Sequence, residues 1–295
     1  MTHFGMNHGS DAKKMLAMLP IICIAAIITF AFTNHKTSTP ERMSIYASYY
    51  GRPVMHTFYE KVSEGEDDLL DVWKEEWTNA GFDYRVLTLD DAKKHPFYEE
   101  METIVTPLFG NGYDSMCFYR WLAMAASGGG WMSDYDTFPT NFPKIEGLNL
   151  PNGGQFTSFE DHIPCLLSGS ENEWTRVSRL LMDAVHRVEV EPASDMHTFE
   201  LIRGDENHGV DYRERTANLK EGFVYLAART VDCEAMAVGR AIHIAHRYTI
   251  HAFQKGLFPF QDEVSTVDQA FQRRAEAIKV FLNDWRQQCG GSNTI

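Results

Sequence analysis

Two aspartates, Asp134 and Asp136, stand one residue apart in the stretch Ser133-Asp134-Tyr135-Asp136. In an extended chain, residues i and i+2 point to the same side, so the two carboxylates can converge on one point. Hard oxygen ligands of this kind suit Mn²⁺ or Mg²⁺, whose coordination is usually completed by water and substrate phosphates. The spacing alone also occurs in solvated turns, so the surrounding sequence decides its meaning. With those surroundings, the pair predicts a divalent-metal site.

The residues before the pair predict a helix, a turn and a strand that would position it. Apolar residues recur at helical spacing from Tyr113 to Ser127, and Gly128-Gly129-Gly130 would end that helix. Trp131-Met132 then begin a short strand. We expect the glycines to form a tight turn that lets the backbone approach a ligand. In open α/β sheets ligands bind at the carboxyl ends of strands, where the two aspartates would fall.

The first part of the chain predicts an α/β fold. A strand is expected at 54–59, followed by a helix that has Leu70, Trp73 and Trp77 on one face and ends at Gly81. Alternation of apolar and charged residues from Phe82 to Val86 is typical of a half-buried strand. Strand, helix and strand in this order indicate a βαβ unit and an α/β domain.

Two later helices are predicted from capping boxes. Ser170 with Glu173 and Thr266 with Gln269 have the spacing in which a hydroxyl and a carboxyl or amide group cap a helix start. Apolar stripes follow each box, the second running from Phe271 to Trp285. These stripes predict core faces.

The N-terminus predicts a membrane anchor. Met15 to Phe32 contains no charged residue, Lys13 and Lys14 precede it, and its length is near the lower limit for a membrane-spanning helix. A cleaved signal peptide and a buried core helix are the alternatives. The expected organisation is a cytoplasmic tail (1–14), a transmembrane signal anchor (15–33), a short stem (34–53), a catalytic domain (54–288) and a tail (289–295).

Charge and cysteine content limit the partners and the compartment. The chain has 27 Lys and Arg against 41 Asp and Glu, a net charge of −14, so it would repel nucleic acid. Beyond the anchor, Cys117, Cys165, Cys233 and Cys289 could form two disulfides in any of three pairings. They lack the spacing of metal ligands, which argues against a zinc site.

The stretch from Tyr119 to Pro139 resembles the DXD sugar-transferase family, which includes fungal Golgi mannosyltransferases and the glucosyltransferase domains of large clostridial toxins. The shared signature is a helix that bears Arg120, a Gly-Gly turn, an apolar strand and the D-x-D pair Asp134 and Asp136. The chain departs from the family at Cys117, where an acidic residue is common, and in a spacing one residue longer between Arg120 and the glycines.

The resemblance implies further site residues. Tyr59, at the end of the first strand, matches the family's aromatic residue that stacks on the nucleotide base. His243 in Ala-Ile-His-Ile-Ala-His matches a late histidine that supplies a further metal ligand, and His246 is the weaker candidate. Arg120 would bind donor phosphates or pair with an aspartate.

The resemblance also implies a function. We expect a GT-A-type (Rossmann-like) mixed sheet flanked by helices, which transfers a hexose from a nucleotide-sugar to a glycan, glycoprotein or glycolipid with Mn²⁺ or Mg²⁺. The expected location is the Golgi or ER membrane, as a single-pass type II protein with a lumenal domain. Asp161, Asp195 and Glu200 are candidate bases that nothing in the sequence distinguishes. A non-catalytic lumenal binding module and a metal-dependent phosphohydrolase are the alternatives.

Overall fold

The structure, a computed structural model, describes residues 51–61, 66–110, 112–160, 163–188, 194–203, 218–227 and 229–290. The predicted cytoplasmic tail (1–14), anchor (15–33) and all but the end of the stem (34–53) lie outside these ranges, as does Asp161. Within the described ranges, no helix is long and apolar enough to cross a membrane.

Short strands and helices alternate along the described chain. The strands are β1 (Val54–Phe58), β2 (Asp83–Leu87), β3 (Gly129–Ser133), β4 (Thr137–Pro139), β5 (Thr157–Ser158), β6 (Leu166–Ser170), β7 (Asn218–Glu221), β8 (Tyr225–Ala227), β9 (Thr230–Val231) and β10 (Gly239–His243). The helices are α1 (Glu66–Asn79), α2 (Leu89–Ala92), α3 (Tyr98–Phe109), α4 (Tyr113–Ala126), α5 (Lys144–Gly147), α6 (Glu171–Ala184), α7 (Asp195–Arg203), α8 (Cys233–Ala237), α9 (His246–Gln254), α10 (Val267–Gln272) and α11 (Arg274–Cys289). Single 3₁₀ turns occupy Pro151–Gly154 and Val185–Arg187.

The largest sheet has five strands in the order β2-β1-β3-β6-β5. Strands β2, β1 and β3 are parallel, whereas β6 pairs antiparallel with both β3 and β5. Helix α1 connects β1 to β2, which confirms the predicted βαβ unit. The predicted fold class, a mixed α/β sheet flanked by helices, is therefore confirmed.

Helices cover both faces of this sheet. Neighbouring residues of β3, Trp131 and Met132, belong to two different hydrophobic clusters, and Leu166 and Leu167 of β6 divide in the same way. Helices α1 and α11 contribute to the first cluster, and α4 and α6 contribute to the second. Because both faces are buried, neighbouring residues of an inner strand are both buried, as Trp131 and Met132 are, instead of alternating between core and solvent.

Strand β2 departs from the predicted half-buried pattern. It is the edge strand of the sheet, and Tyr84 is 48% exposed although the alternation predicted it on the buried side. Phe82, which precedes the strand, is fully buried against Trp77 of α1. An edge strand has one neighbour, so packing constrains its side chains less than the sequence period suggests.

The capping boxes form only in part. Ser170 precedes α6, but its side chain makes no capping hydrogen bond, and the Glu173 carboxylate accepts the backbone N–H of Phe156 instead (2.9 Å). Thr266 does cap α10, with its hydroxyl accepting the N–H of Gln269 (3.2 Å). The single helix predicted after it is divided at Arg273 into α10 and α11.

The glycine turn lies at the amino-terminal end of β3, and the aspartates follow its carboxyl end. Gly129 has a φ of +75°, and a Cβ there would lie 2.5 Å from the backbone nitrogen of Glu171. The glycine is therefore required by close packing against the start of α6. The predicted approach of this backbone to a ligand stays a prediction, and the glycines lie at the opposite end of β3 from the aspartates.

A second, three-stranded sheet has the order β4-β10-β7. Strand β4 follows the D-Y-D motif at once, and β10 runs antiparallel to it with His243 opposite Thr137. The backbone N–H of Ile244 donates to the carbonyl of Asp136 (2.9 Å). This pairing brings the end of β10 beside the motif.

A disulfide connects Cys233 at the start of α8 with Cys289 at the end of α11, 56 positions later. Cys117 and Cys165 are free thiols. The sequence allowed two disulfides among these four cysteines. The structure forms one of them, Cys233–Cys289, and the matching Cys117–Cys165 disulfide is not formed.

Candidate active site

The D-Y-D motif forms a turn at the carboxyl end of β3. The backbone N–H of Asp134 donates to the carbonyl of Cys165 (2.9 Å), and the N–H of Thr137 donates to the carbonyl of Asp134 (3.0 Å). The prediction that the motif is extended is therefore wrong. The two aspartates are nevertheless placed at a carboxyl strand end, as predicted, and the turn brings their carboxylates together.

His243 completes a three-residue cluster with these aspartates. One carboxylate oxygen of Asp134, one of Asp136 and one ring nitrogen of His243 all lie within 4.8 Å of one another. The Nε2 atom of His243 is 3.4 Å from Oδ1 of Asp136. Two carboxylates and an imidazole are donors that Mn²⁺ accepts, so the residues present fit a divalent ion. The structure thus brings together the predicted metal ligands from two different sheets.

Arg120 on α4 joins carboxylates from two elements. Its Nη1 donates to Oδ1 of Asp134 (2.6 Å), and its Nε and Nη2 donate to Oδ2 of Asp195 (2.9 and 2.5 Å). The indole N–H of Trp121 donates to the same Asp195 oxygen (2.9 Å). Of the two roles predicted for Arg120, the structure shows the pairing with an aspartate.

Asp195 provides the carboxylate that the helix itself lacks. Cys117 occupies the position three before Arg120 where the resembling family commonly has an acidic residue, and Asp195 reaches the arginine from the start of α7. Asp195 is buried and accepts three N–H donors with one oxygen. These contacts make it a positioning residue for Arg120.

Arg274 is a site residue that the sequence did not predict. Its Nη2 donates to Oδ2 of Asp136 (2.7 Å) and to the carbonyl of Ile244 (2.5 Å), and the residue is only 4% exposed. The available signal was a charged residue at helical spacing from Phe271 and Ile278, on the apolar face of the predicted helix. The break at Arg273 places Arg274 first in α11, beside the motif.

The two aspartates have opposite pKa shifts. Burial, helped by the charge of Asp136, raises the pKa of Asp134 to about 6 against the opposing effect of Arg120. Burial acts in the same direction on Asp136, but His243 and Arg274 hold its pKa below the usual range. Burial alone would lower the pKa of His243, whereas Cys165 and Asp136 raise it well above 6.5. The motif therefore presents one firmly ionised and one easily protonated carboxyl group.

Two further side chains lie on the other side of the His243 ring. Its Nδ1 is 3.3 Å from Oε2 of Glu160, and the thiol of Cys165 donates to the same oxygen (2.7 Å). Cys165 is fully buried, and burial raises the pKa of its thiol. Neither residue was predicted as part of the site. The ring of His243 is thus held between two carboxylates.

A small cleft of about 60 Å³, partly open to solvent, lies beside the cluster. Its walls include Phe58, Tyr113, Asp134, Asp136 and His246. Ligand sites are concave and combine apolar side chains with a few converging polar groups, and this cleft has both kinds of lining. The two aspartates of the metal-ligand cluster therefore border a concave surface.

Tyr59 does not line this cleft. Its hydroxyl donates to Asp67 (2.8 Å), and its ring packs edge-on against Tyr135 with 5.4 Å between centroids. The neighbouring residues Phe58 and Glu60 line the cleft instead. The structure therefore does not place Tyr59 where it was predicted to stack on a nucleotide base, and Phe58 is the aromatic residue of the first strand that faces the cleft.

Comparison with known families shows where the chain belongs. Residues 36–220, more than half of the chain, match the model of a family described as a domain of unknown function (DUF8765). The chain belongs to this family. The matched stretch contains Arg120, Asp134, Asp136 and Asp195 and ends before His243. No curated protein matches the chain.

One solved structure similar to this DUF8765 protein is the crystal structure of a glycosyltransferase involved in the glycosylation of the major capsid of PBCV-1. The two are 8% identical, with a TM-score of 0.43 over 76% of this chain and 98% of the other. A likeness this distant assigns no activity.

Of the remaining candidate site residues of the DUF8765 protein, one lines the cleft and the others do not. His246 starts α9 and lines the cleft, with its Nε2 3.5 Å from Nη1 of Arg274. Strand β10 ends at His243, so His246 lies on a different element from His243. Glu200 is exposed on α7 and is not among the residues that line the cleft, and Asp161 lies outside the described residues.

Proposed function

We propose that the protein is a metal-dependent glycosyltransferase that takes a hexose from a nucleotide-sugar. The single observation that carries the proposal is the convergence of Asp134, Asp136 and His243 beside a cleft. The reaction class comes from the resemblance of the D-Y-D segment to DXD sugar-transferases, and the convergence of three possible metal ligands supports it.

The proposed ion is Mn²⁺ or Mg²⁺, held by Asp134, Asp136 and His243. When bound, such an ion acts as a Lewis acid that neutralises the charge of a departing diphosphate. The chain's own residues prepare that site. Arg274 and Arg120 fix one carboxylate each, and both arginines are largely buried, so the ligands are oriented before a donor arrives.

The location is proposed to be the lumen of the Golgi or ER, with residues 15–33 as a type II anchor. The Cys233–Cys289 disulfide supports an oxidising compartment, because disulfides persist there and are rare in the cytosol. The GT-A type of the fold and a glycan, glycoprotein or glycolipid acceptor belong to the same proposal.

Thermal unfolding of the purified chain with a panel of nucleotide-sugars, in Mn²⁺ and in EDTA, tests the proposal. A ligand at one hundred times its Kd stabilises the folded state by about 2.7 kcal/mol. We expect at least one nucleotide-sugar to raise Tm in Mn²⁺ only, and slow release of free sugar from it by hydrolysis.

The matched variants are Asp134→Asn in the motif and Asp90→Asn at an exposed carboxylate of α2. Asp134→Asn should abolish the Mn²⁺-dependent shift, and Asp90→Asn should keep it. The proposal fails if no nucleotide-sugar binds, or if Asp134→Asn binds as well as the unchanged protein. Phosphate release from nucleotides would favour a phosphohydrolase, and binding without turnover would favour a binding module.

A further inference from the structure

A second group of possible metal ligands shares His243 with the proposed Mn²⁺ site. One ligand atom each from Glu160, Cys165 and His243 lie within 4.8 Å of one another. We call these three residues the thiol cluster. Within it, Oε2 of Glu160 is the acceptor for the Cys165 thiol (2.7 Å) and lies 3.3 Å from Nδ1 of His243.

The thiol cluster is held by three strand ends. Glu160 follows β5, Cys165 immediately precedes β6, and His243 is the last residue of β10. The carbonyl of Cys165 also accepts the N–H of Asp134, which ties the cluster to the D-Y-D turn. Strand pairing fixes His243, and the bond from the Phe159 N–H to the carbonyl of Leu166 holds the backbone next to Glu160 and Cys165, so the convergence does not depend on flexible side chains alone.

One atom of the cluster lacks a permanent donor. The Oε1 atom of Glu160 is buried and has no N–H or hydroxyl partner within the described part of the chain. The carboxyl of Glu221 is in hydrogen-bond contact with Glu160, which raises the pKa of Glu221 to about 7, so only its protonated form can donate to Glu160. A buried carboxylate oxygen without a donor is costly, and such an atom calls for an explanation such as an ion or a water molecule. Arg120 and Arg274 are already paired with aspartates.

A thiolate, an imidazole nitrogen and a carboxylate together favour a borderline-soft ion. Zn²⁺ is bound by these three donors, usually with a fourth ligand that can be water, whereas Mn²⁺ and Mg²⁺ prefer oxygen. We propose that Glu160, Cys165 and His243 form a second metal site that takes Zn²⁺ or a similar thiophilic ion. On binding, the ion replaces the thiol proton of Cys165, and that proton passes to solvent.

Occupation of this site would affect the first one, a consequence that rests on the proposed function. A neutral imidazole carries one N–H and one free nitrogen lone pair. If Nδ1 of His243 ligates an ion in the thiol cluster, the Nδ1 proton passes to solvent, and Nε2 keeps its N–H, which donates to Asp136 and offers no lone pair there. Zn²⁺ in the thiol cluster would therefore remove one ligand from the Mn²⁺ site and inhibit it.

Co²⁺ titration of the purified full chain, freed of metal with EDTA, tests the second site directly. Thiolate ligation of Co²⁺ produces an intense near-ultraviolet charge-transfer absorption, which oxygen and nitrogen ligands do not. We expect one equivalent of Co²⁺ to produce this band and Zn²⁺ to remove it by displacement. Cys165→Ser should abolish the band, while Cys117→Ser, Cys23→Ser and Asp134→Asn should keep it.

Glu160→Gln provides a second variant that keeps the thiol. It should weaken Co²⁺ binding by at least about tenfold, the lower end of the effect of losing even an outer-shell partner. The proposal is overturned if the folded protein gives no band, if the band survives Cys165→Ser, or if it is lost equally in Cys117→Ser. These outcomes are independent of nucleotide-sugar binding, so they separate this proposal from the proposed function.

A separate measurement tests whether Zn²⁺ in the thiol cluster inhibits the Mn²⁺ site. Sub-millimolar Zn²⁺ (about 0.1 mM, well above a typical structural zinc Kd) should suppress the Mn²⁺-dependent nucleotide-sugar shift of the unchanged protein. Cys165→Ser should be resistant to the same Zn²⁺ concentration. Equal suppression in both proteins would mean that Zn²⁺ displaces Mn²⁺ at the aspartates, and would overturn the proposed link.

Discussion

The two aspartates of the motif are held by different regions of the molecule. Asp134 pairs with Arg120, which is fixed by Asp195, and all three lie in the part of the chain matched by the DUF8765 model. Asp136 pairs with His243 and Arg274, which lie beyond the matched stretch. We call residues 54–203 the first region and residues 218–290 the second region.

The two regions differ in how many carboxylate partners their buried arginine has. Arg120 contacts two carboxylates, so it keeps a partner if Asp134 changes. Arg274 has one carboxylate partner in the described chain, Asp136, besides the carbonyl of Ile244. A buried cation with one anionic partner depends strongly on it, because an uncompensated buried charge is costly. The second region should therefore be the more sensitive one.

The largest expected effect separates Asp136→Asn from Asp134→Asn. Asp136→Asn leaves Arg274 without its carboxylate, and breaking a buried pair in this way costs roughly 3–5 kcal/mol. Asp134→Asn should lower the free energy of unfolding by less than about 1 kcal/mol. Arg120 keeps Asp195 as its partner, and burial already raises the pKa of Asp134, so the folded state loses little when this carboxylate loses its charge. Urea unfolding in EDTA measures both.

A double variant controls for other effects of the Asn side chain. Adding Arg274→Met to Asp136→Asn removes the stranded charge and should recover most of the lost free energy of unfolding, since apolar replacements of buried pairs are often neutral or better. Equal losses in the two single variants would show that the regions do not differ in this respect.

The second expected effect concerns the disulfide, which lies in the second region. Cys233 and Cys289 close a loop of 56 positions, and a disulfide of this kind typically contributes about 2–4 kcal/mol. Cys233→Ser should lower the free energy of unfolding by that amount, as measured in urea. Cys117→Ser, which removes a free thiol of the first region, is the control. A loss of similar size in both variants would contradict the assignment of this stabilisation to the covalent link.

The regions also differ in how well the sequence predicts them. The first region follows local patterns: β1, α1 and α4 appear where apolar spacing places them, and Asp134 follows the expected strand. The second-region residues that contact the motif are distant from it in the sequence. Arg274, for example, contacts Asp136 across 138 positions. Periodicity carries no information about such contacts, so His243 was reached only through a family resemblance and Arg274 not at all.

Two first-region residues have neighbours that the sequence did not predict. Gly129 belongs to the turn predicted to let the backbone approach a ligand, and the structure packs it against the backbone of Glu171; Tyr59 was predicted to stack on a nucleotide base, and its hydroxyl donates to Asp67. In each case the sequence singled out the residue itself. It could not predict which neighbour the fold would bring against it.

A smaller effect is expected from the residue that holds Arg120. Asp195→Asn keeps the shape of the side chain but removes the charge that fixes the guanidinium, so Arg120 should lose its fixed orientation toward Asp134. We expect roughly 10–100-fold weaker Mn²⁺-dependent nucleotide-sugar binding, the range for loss of outer-shell partners. Glu200→Gln on the same helix is the control, because Glu200 is exposed. Equal affinities of these two variants would remove Asp195 from the site.

The smallest effect contrasts two buried histidines. The pKa of His243 in the second region is raised, whereas burial lowers the pKa of His56 in β1 of the first region below 6.5. The unfolded chain therefore binds a proton at position 56 before the folded chain does, and the contribution of His56 to the free energy of unfolding falls as pH drops below 6.5. His56→Gln keeps an N–H donor for the carbonyl of Trp131 (2.9 Å) but cannot titrate. Between about pH 7 and pH 5, its stability should fall less steeply than that of the unchanged protein, by at most about 1.4 kcal/mol per pH unit.

The effect of His95, whose pKa is also lowered by burial, is common to both proteins and cancels in the difference. Parallel pH profiles would mean that His56 is protonated in the folded state as easily as in the unfolded one, and the contrast between the regions would not extend to their histidines.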